Sequence, residues 1–352
     1  MPPPPDLMTA TPRLSICIAT FKRGAFIAET LESIVDQLDE RVELIVVDGA
    51  SPDDTAAQVR PFLSRGCLVR YIRENSNSGV DADYDKAVAY ARGTYCWLMT
   101  DDDLLQPNAV ARVLAALADD PELLVLNAQI WSANYARLLT PRCMPLRADR
   151  ECRTEDEAFF VETAHHLSFI GAVVIRREQW LRRDRAAYFG TLFVHIGVLF
   201  QSPPLGRAKV IAEPLIRIRY GNAMWTSRGF EIWMFKWPQL IWSFDGYSDE
   251  AKGKVWAREP WRSTKKLLLA RALGSYSTVE YHKHIRRSGD PFTLLRARCI
   301  ASLPISIANS LAGAYFLLIG RTALGTLYDL SRSRGTTAIT RTAVRVAGVW
   351  HR

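Results

Sequence analysis

An apolar run that stops at three consecutive aspartates constrains this chain more than any other feature. Tyr95 to Met99 has the length and composition of a buried strand, and Asp101, Asp102 and Asp103 follow it after one threonine. In an open α/β sheet, ligands bind outside the carboxyl ends of the strands. Three adjacent carboxylates repel one another there unless a cation lies among them, and Mg²⁺ or Mn²⁺ prefers such oxygen ligands, usually together with substrate phosphates. The pattern therefore predicts a divalent-metal site that binds a diphosphate.

The competing interpretation of these aspartates is an acidic helix N-terminus, where Asp is favoured as a cap and in the first turn. Pro107, at the predicted start of the next helix, supports that interpretation for one aspartate. It does not explain three aspartates in a row behind a buried strand. We therefore favour the metal site.

Strands and helices alternate along the first third of the chain. The predicted strands cover 14–19, 43–47, 69–72 and 95–99, and the predicted helices cover 25–38, 53–63 and 80–91. This alternation predicts an α/β fold with a mostly parallel sheet and right-handed crossovers. Thr20 and Arg23 follow the first strand and Asp48 follows the second, so we expect these side chains to converge with the aspartates on one crevice.

Four motifs, in this order and at this spacing, resemble a family 2 glycosyltransferase of the GT-A fold, a Rossmann-like sheet with flanking helices. They are SICIATFKR, ELIVVDGASPDDT, the spacing from NSNSG to ARGTY, and LMTDDD. The stretch GVDADYDKAVAYARGTYCWLMTDDD looks similar to the abequosyltransferase-like branch, which builds bacterial O-antigen and capsule units. The resemblance implies transfer of a sugar from a nucleotide-diphosphate donor, with inversion in a single displacement.

The resemblance also implies roles for particular residues. Thr20 contacts the nucleotide base or ribose, with Arg23 beside it, and Asp48 lies in the nucleotide-recognition turn. Asp101 and Asp103 form the D-x-D pair, the first near the ribose and both offered to Mn²⁺ or Mg²⁺, with Asp103 as the principal metal ligand.

The chain departs from the family pattern at two places. Gly49 stands where a second aspartate is common, and the sequence Asp83-Tyr84-Asp85 stands where the family commonly shows ARN. Those positions normally help to hold the base and the phosphate. Asp81 is a candidate substitute contact to the nucleotide, and an ordinary helix-start aspartate is the alternative interpretation.

His195 is the candidate general base. The sequence VHIG that contains it lies where related transferases carry a Glu-Asp pair that supplies the base. An inverting transfer needs such a base to accept the proton of the acceptor hydroxyl, and histidine titrates near neutral pH. A packed histidine on an apolar helix is the alternative interpretation. Asp184 and Glu213 are other candidates, whereas Asp102, the second catalytic candidate, lies beside the metal and would stay ionised but poorly placed.

Arg217 and Arg219 alternate with isoleucines in a predicted strand over 210–220, so both face one side of it. Arginine suits bidentate contact with phosphate. Together with Tyr220 and Trp225 they would close over the donor diphosphate. A solvated strand face is the alternative.

The last third of the chain differs in composition. Six of the ten tryptophans fall between 225 and 261, which is typical of a membrane interface or, alternatively, of a core helix. Residues 300–320 carry no charge, but they include Pro304. We expect a helix or hairpin lying in the membrane interface rather than a full span, with a buried helix as the alternative. From 262 to 352 the chain has 15 Lys and Arg against three acids, which favours an anionic membrane surface.

We expect a disordered leader at 1–12, a GT-A catalytic domain at 13–225 and a tryptophan-rich, basic, helical, membrane-associating region at 226–352. The catalytic domain would consist of a nucleotide-binding half (13–105) and an acceptor half (106–225).

The expected function is metal-dependent, inverting transfer of a sugar to a polyprenyl-diphosphate-linked glycan in bacterial surface-polysaccharide synthesis. It would take place at the cytoplasmic face of the inner membrane, and no nucleic-acid partner is expected. A sugar nucleotidyltransferase is one alternative, but that class has a Gly-rich phosphate loop where this chain has ATFKR. A non-catalytic basic protein that binds membrane or nucleic acid is the other, and the acidic cluster argues against it.

Overall fold

The computed structural model describes residues 11–64, 69–222, 228–319 and 324–346. The chain divides into two compact units. The first comprises residues 1–130, 141–219 and 244–251, and the second comprises residues 131–140, 220–243 and 252–352. Most of the predicted leader (1–10) and Trp225 lie outside the described residues.

The first unit is built on a mixed sheet. The strands of the chain are β1 Leu14–Thr20, β2 Val42–Asp48, β3 Val69–Arg73, β4 Tyr95–Met99, β5 Leu104–Leu105, β6 Leu123–Ser132, β7 Leu138–Thr140, β8 Arg150–Arg153, β9 Val173–Arg176 and β10 Arg207–Tyr220, and β7 falls within the residues of the second unit. Their order across the sheet is β3-β2-β1-β4-β9-β6-β10-β5, with β8 beside β10.

Helices connect these strands and cover the sheet. The first seven are α1 Ile27–Val35, α2 Thr55–Val59, α3 Val80–Tyr90, α4 Ala109–Ala116, α5 Glu157–Leu167, α6 Arg177–Arg182 and α7 Val194–Phe200. Those that follow in sequence are α8 Gly229–Glu231, α9 Trp237–Trp242, α10 Asp249–Val255, α11 Thr264–Leu273, α12 Thr278–Glu280, α13 Pro291–Ser302, α14 Ile305–Ile319, α15 Leu324–Arg332 and α16 Ala338–Val346.

The α/β GT-A architecture predicted from the sequence is confirmed. The expectation of a mostly parallel sheet holds only among the first four strands, where the pairs β1–β2, β2–β3 and β1–β4 are parallel. Beyond β4 the described pairings are antiparallel, as in β4–β9, β9–β6 and β10–β5. A strand buried on both faces is apolar whether it runs parallel or antiparallel to its neighbours, so the sequence did not indicate the change from parallel to antiparallel pairing.

The parallel half brings three strand ends to one edge of the sheet. In the register of β1 and β2, Thr20 lies opposite Asp48, and in that of β1 and β4, Ile18 lies opposite Met99. Every residue of β1, β2 and β4 is buried, which fixes their depth against the covering helices. The aspartates that follow Met99 are therefore at the same edge as Thr20 and Asp48.

The second unit is helical and has its own core, in which Phe230, Trp261, Tyr276 and Ile285 pack together. The described tryptophans of the 225–261 stretch belong to this interior. Trp237 and Trp261 are buried, and the indole N–H groups of Trp242 and Trp256 donate to the carbonyls of Trp256 and Trp233, respectively. The burial of Trp237 and Trp261 matches the core interpretation, and the half-buried Trp242 and Trp256 use their indole N–H groups inside the fold.

The uncharged segment 300–320 is broken at Pro304. α13 ends before this proline and α14 begins after it, and the two helix axes differ by 99°. Among the described residues no single helix is long and apolar enough to cross a membrane, although this bent pair passes the test of length and composition when its two helices are taken together. Proline lacks the backbone N–H that would continue α13, which explains the break.

α14 has one packed face and one exposed face. On the packed face, the Asn309 side chain donates to the carbonyls of Ala272 and Leu330 and accepts the Thr340 hydroxyl at 2.5 Å. Gly313 allows α16 to approach, since a β-carbon there would lie 2.6 Å from Thr340 Oγ1. The exposed face is apolar: Ile307, Leu311, Tyr315 and Leu318 are 50%, 60%, 42% and 87% exposed.

Candidate active site

The three aspartates after β4 lie inside the protein rather than in bulk water. Asp102 and Asp103 are buried and Asp101 is largely so. The Tyr84 hydroxyl of α3 donates to the carbonyl of Met99 at 3.0 Å, directly before the cluster. Buried carboxylates require compensation, so the groups around them determine what this site can do.

Arg23, in the loop after β1, supplies the nearest positive charge. Its Nε lies 3.3 Å from Asp101 Oδ1, and a terminal guanidinium nitrogen lies 3.2 Å from Asp102 Oδ2. The guanidinium thus bridges two of the three carboxylates. The sequence predicted that a metal ion compensates the charge of the three carboxylates. In the structure, the guanidinium of Arg23 compensates part of that charge.

Asp103 and the chain at Arg219 are joined by several hydrogen bonds. Asp103 Oδ1 accepts the backbone N–H of Arg219 at 2.6 Å, and its Oδ2 accepts the Thr100 hydroxyl at 2.5 Å. The Arg219 side chain donates from Nε to the carbonyl of Asp102 at 2.9 Å and forms an ion pair with Glu29. These contacts tie the end of β10 to the end of β4.

Phe26 completes this arrangement by lying beneath both arginines. The guanidinium carbons of Arg219 and Arg23 are 5.2 Å and 5.7 Å from the centre of its ring. Such cation–π contacts hold each guanidinium in place without consuming its hydrogen-bond donors.

Burial and mutual repulsion raise the pKa values of the cluster. Burial, followed by the charge of Asp102, raises the pKa of Asp101 to about 7, and Arg23 opposes this rise. Burial and the charge of Asp102 also raise the pKa of Asp103 well above its ordinary value. The pKa of Tyr84 is raised by burial and by the nearby aspartates. Carboxyls in this state gain most from an added cation.

The residues of the cluster fit a divalent ion held jointly with a ligand. Within the described ranges no group of three or more His, Cys, Asp or Glu side chains is arranged to hold a metal by itself. Asp103 uses both oxygens in hydrogen bonds, and Asp101 and Asp102 each form an ion pair with Arg23. One or two carboxylates completed by phosphate oxygens and water is the usual coordination of Mg²⁺.

Asp48 lies at the predicted edge of the sheet, and both of its carboxylate oxygens accept hydrogen bonds from within the protein. Its Oδ1 accepts the backbone N–H of Ser51 at 2.8 Å, and its Oδ2 accepts the hydroxyl of Tyr71. Burial, then this hydrogen bond, raises the pKa of Tyr71. Thr20, on the neighbouring strand, is buried beside Asp101, whose pKa its hydroxyl lowers. The structure therefore brings Thr20, Arg23, Asp48 and Asp101 together as predicted.

Asp81 binds a loop of the protein through its carboxylate. Its Oδ2 accepts the N–H groups of Gly190 and Leu192, both at 2.8 Å, and its Oδ1 accepts the N–H of Val194 at 3.0 Å. Three of the acceptor positions of this carboxylate are thus used by backbone donors of the loop. The interpretation of Asp81 as a nucleotide contact is not supported by this geometry.

His195 is enclosed rather than presented to a substrate. It is 2% exposed, and its Nε2 contacts the carbonyl of Leu167 at 2.9 Å. Burial lowers its pKa to about 4. The structure places it in the packing of α7, which matches the alternative interpretation of a packed histidine. Of the other candidates, Asp184 caps the N–H of Ala187, and the exposed Glu213 lies 3.6 Å from Arg112.

Arg217 and Arg219 share one face of β10, but their surroundings differ. Arg219 is buried against the aspartates, whereas Arg217 is half-buried in the register position opposite Leu104. Tyr220, which was expected to act with them, donates its hydroxyl to Asp329 at 2.6 Å within the second unit.

Sequence reasoning missed Phe26, Glu29, Thr100 and Tyr71, which hold the predicted residues in place. Thr100 directly precedes the aspartates, and a threonine next to a carboxylate cluster is a signal that could have found it. The others lie on separate elements and carried no local signal.

Fold and site together define an α/β domain that binds its ligand at the carboxyl ends of parallel strands, beside buried carboxylates. Residues 15–178 match the family model described as Glycosyl transferase family 2. Residues 15–178 of this chain thus form a glycosyl transferase family 2 domain.

Curated relatives agree with this assignment. The abequosyltransferase RfbV of Salmonella typhimurium (strain LT2) is 24% identical over 230 residues, which cover 61% of this chain and 69% of that protein. The GalNAc(5)-diNAcBac-PP-undecaprenol beta-1,3-glucosyltransferase of Campylobacter jejuni is 27% identical over 104 residues, 29% of this chain and 34% of that protein.

Two solved structures share the fold over nearly the whole chain. TarS 1-349 of S. aureus, in complex with UDP-GlcNAc, has a TM-score of 0.54 at 14% identity and covers 97% of this chain and 93% of its own. The mannosyltransferase PcManGT of Pyrobaculum calidifontis, in complex with GDP-Man and Mn²⁺, has a TM-score of 0.51 at 17% identity, with coverage of 97% and 88%.

Proposed function

We propose that this protein transfers a sugar from a nucleoside diphosphate donor to a hydroxyl group of a lipid-linked glycan, with inversion at the anomeric carbon. The observation that carries the proposal is the buried cluster of Asp101, Asp102 and Asp103 at the parallel-strand edge of a family 2 glycosyltransferase domain. The solved neighbours with UDP-GlcNAc and with GDP-Man and Mn²⁺ support a nucleotide-sugar donor and a divalent ion.

We assign different roles in donor binding to the residues of the site. Asp101 and Asp102 would hold Mn²⁺ or Mg²⁺ together with the donor diphosphate, and Asp103 would hold the end of β10 in place. When bound, the ion would neutralise part of the negative charge of the diphosphate. Arg23 and Arg219, fixed over Phe26, add positive charge beside that diphosphate.

Bond changes follow from a single displacement. The acceptor oxygen forms a bond to the anomeric carbon from the face opposite the diphosphate. The bond from that carbon to the diphosphate oxygen breaks, and its electron pair leaves with the diphosphate. The hydroxyl proton passes to a general base. Because His195 is buried and its Nε2 contacts a carbonyl, we propose that another group acts as this base.

The acceptor is proposed to be membrane-bound. The relative from Campylobacter jejuni carries undecaprenol in its name, and the exposed face of α14 presents Ile307, Leu311 and Leu318 to the surroundings. The second half of the chain is strongly basic, so it would attract anionic lipid. We place the protein peripherally at the cytoplasmic face of the inner membrane, with α14 lying in the interface.

The donor part of the proposal is tested by hydrolysis of a panel of nucleoside diphosphate sugars with Mn²⁺. Asp101→Asn and Asp102→Asn should each lower the rate at least 100-fold while the fold is retained, because a charge that faces the diphosphate is lost. Glu178→Gln, at an exposed ion pair with Arg182, is the matched control and should leave the rate unchanged. Full activity in both aspartate variants contradicts the proposal.

The membrane part is tested separately by flotation with vesicles that contain anionic lipid. The wild-type protein should float with them, and a double variant Leu311→Glu, Leu318→Glu should not, because charges would replace the apolar face. Neither position is packed in the core, so this variant should fold normally. Flotation of the double variant at the wild-type level would refute the interfacial role of α14.

A further inference from the structure

A π-helical turn of the second unit, Tyr281–Ile285, carries a basic segment between α12 and α13. Tyr281 and Ile285 are buried in the core of this unit, which fixes the turn. Lys283, within the turn, and Arg286 and Arg287, directly after it, are exposed. A packed backbone therefore holds these three cations at one place on the surface.

The acids close to this segment are engaged by other groups. They are Glu231, Glu280 and Asp290. Glu231 lies 3.3 Å from Arg228, and Lys283 adds only a weaker attraction to it. Asp290 lies 3.3 Å from a guanidinium nitrogen of Arg262, and Glu280 accepts a serine hydroxyl. Within the ranges that the structure describes, no acid forms an ion pair with any of the three cations, so their charge is available to a partner.

Apolar side chains are exposed on the two helices that flank these cations. Phe292 and Leu295 are 73% and 61% exposed, and because they are three residues apart they lie on one face of α13. Val279 of α12 is 67% exposed, and the π-helical turn packs against both α12 and α13. The other face of α13 is packed, since Ala297 and Ala301 are buried in the core. The exposure of Phe292 and Leu295 therefore belongs to a firmly docked helix.

We call this combination the basic–aromatic surface, and it consists of Val279, Lys283, Arg286, Arg287, Phe292 and Leu295. An exposed aromatic ring beside several cations and no available acid is complementary to an anionic bilayer. There the apolar side chains leave water for the boundary between headgroups and acyl chains, while the cations stay beside the lipid phosphates. The charge of the surface thus identifies its partner as anionic lipid.

The exposed apolar face of α14 differs from this surface in charge. α14 contains no charged residue, and its Tyr315 has the Lys265 ammonium 5.1 Å from the ring centre. The axes of α13 and α14 differ by 99°, so the two exposed faces belong to differently directed helices. An apolar face without charges of its own binds neutral and anionic bilayers alike. A preference for anionic lipid would therefore come from another part of the chain.

We propose that the basic–aromatic surface is a second membrane contact, whose cations bind the phosphates of anionic lipids and whose Phe292 and Leu295 enter the interface. The inference rests on the proposed function, since it concerns the same membrane. Two linked contacts reinforce each other, because once one is bound the other is held at a high effective concentration. α14 supplies apolar attachment, and the basic–aromatic surface supplies the preference for anionic lipid.

Partitioning of the full chain is measured by co-sedimentation with vesicles of phosphatidylcholine alone and of equal parts phosphatidylcholine and phosphatidylglycerol. The triple variant Lys283→Gln, Arg286→Gln, Arg287→Gln should bind the anionic vesicles more weakly by on the order of a hundredfold and the neutral ones within about twofold of wild type. Its binding to anionic vesicles should also lose most of its dependence on salt concentration.

A charge-matched control separates this surface from the net charge of the protein. The triple variant Arg60→Gln, Arg147→Gln, Arg182→Gln removes the same charge from exposed positions of the first unit and should bind both kinds of vesicle nearly as the wild type does. Phe292→Ala should weaken binding to both kinds by about tenfold, because the apolar anchor is lost. All the substituted side chains are exposed, and thermal denaturation establishes that each variant is folded.

Three results would overturn the inference, and they can be told apart. If the wild type binds anionic vesicles and the variant at 283, 286 and 287 binds them as the control variant does, this surface does not contact the membrane, while the role of α14 is unaffected. If that variant binds vesicles normally but changes the mass of the free protein in sedimentation velocity, the surface joins two copies of the chain instead. If the wild type binds neither kind of vesicle, the membrane part of the proposed function fails as well.

Discussion

Asp81 offers the clearest test of how the structure positions its loops. Its carboxylate joins the start of α3 to three backbone N–H groups of the loop before α7, at Gly190, Leu192 and Val194. Leu192 has φ of 73°, in the left-handed region that a leucine adopts only at a cost of about 1 kcal/mol. We infer that the hydrogen bonds to Asp81 hold the loop in this conformation.

The magnitude follows from the number of acceptors that each substitution removes. Asn at position 81 keeps one oxygen for Gly190 and Leu192 but turns an NH₂ group toward the N–H of Val194, so one bond is lost and one donor is stranded. The loss should be about 2–3 kcal/mol of the free energy of unfolding. Asp81→Ala removes all three bonds and should cost about 4 kcal/mol.

Hydrogen exchange of the three amides is the primary assay, because a chain of two units need not unfold in one step. The exchange of Gly190, Leu192 and Val194 should accelerate in Asp81→Asn and more in Asp81→Ala, and urea denaturation should follow the same order. Glu178→Gln, an exposed control, should change stability by less than about 0.5 kcal/mol. Unchanged exchange of these amides in Asp81→Ala would refute the reasoning.

Three further expectations concern the charged and buried groups of the site. Arg23→Gln should strengthen the binding of Mn²⁺ alone about tenfold, because it removes the cation that bridges two carboxylates. Electron paramagnetic resonance measures this binding, and Arg41→Gln, at an exposed ion pair, is the control. Equal or weaker Mn²⁺ binding by Arg23→Gln would contradict the expectation. The pKa of Asp101, raised from 3.8 to about 7, means that the folded state holds a proton that the unfolded chain releases, so this carboxyl lowers stability as the pH rises through that window. Asp101→Asn should therefore stabilise the metal-free protein, on the order of 2 kcal/mol, at pH 8 and hardly at pH 4, as judged by urea denaturation at both values. His195→Gln should lower the midpoint of thermal unfolding but leave the inflections of the pH–rate profile in place, since a pKa of about 4 keeps this histidine neutral above pH 5. Loss of an inflection in this variant would support His195 as the general base.

The sequence predicted those parts of the fold that depend on local pattern. β1, β2 and β4 match their expected positions within one or two residues, because short apolar runs bounded by turn residues are typical of buried strands. Pro304 signalled the break between α13 and α14. The antiparallel half of the sheet was missed, because strand direction depends on how distant segments pair and not on composition.

The same division holds within the site. The convergence of Thr20, Asp48 and Asp101 follows from parallel strands that end together, so it was predictable. The loop that binds Asp81, and the Arg219 backbone N–H that binds Asp103, are more than a hundred positions away in sequence. No motif at Asp81 indicates that it binds a loop near Gly190, and nothing at His195 indicates that its ring contacts the carbonyl of Leu167.

Charge compensation at the aspartates connects folding with the proposed reaction. A protein must fold before its donor arrives, so the carboxylates need a partner in the free state. Arg23 supplies one, and the raised pKa of Asp101, about 7, allows part of the remaining charge to be removed by protonation. Arrival of a divalent ion with a diphosphate would favour the ionised form of Asp101 and would place phosphate oxygens within the field of Arg23. The arginine would then exchange a carboxylate partner for a phosphate partner, so that the charge which stabilises the carboxylates during folding would also help to hold the donor.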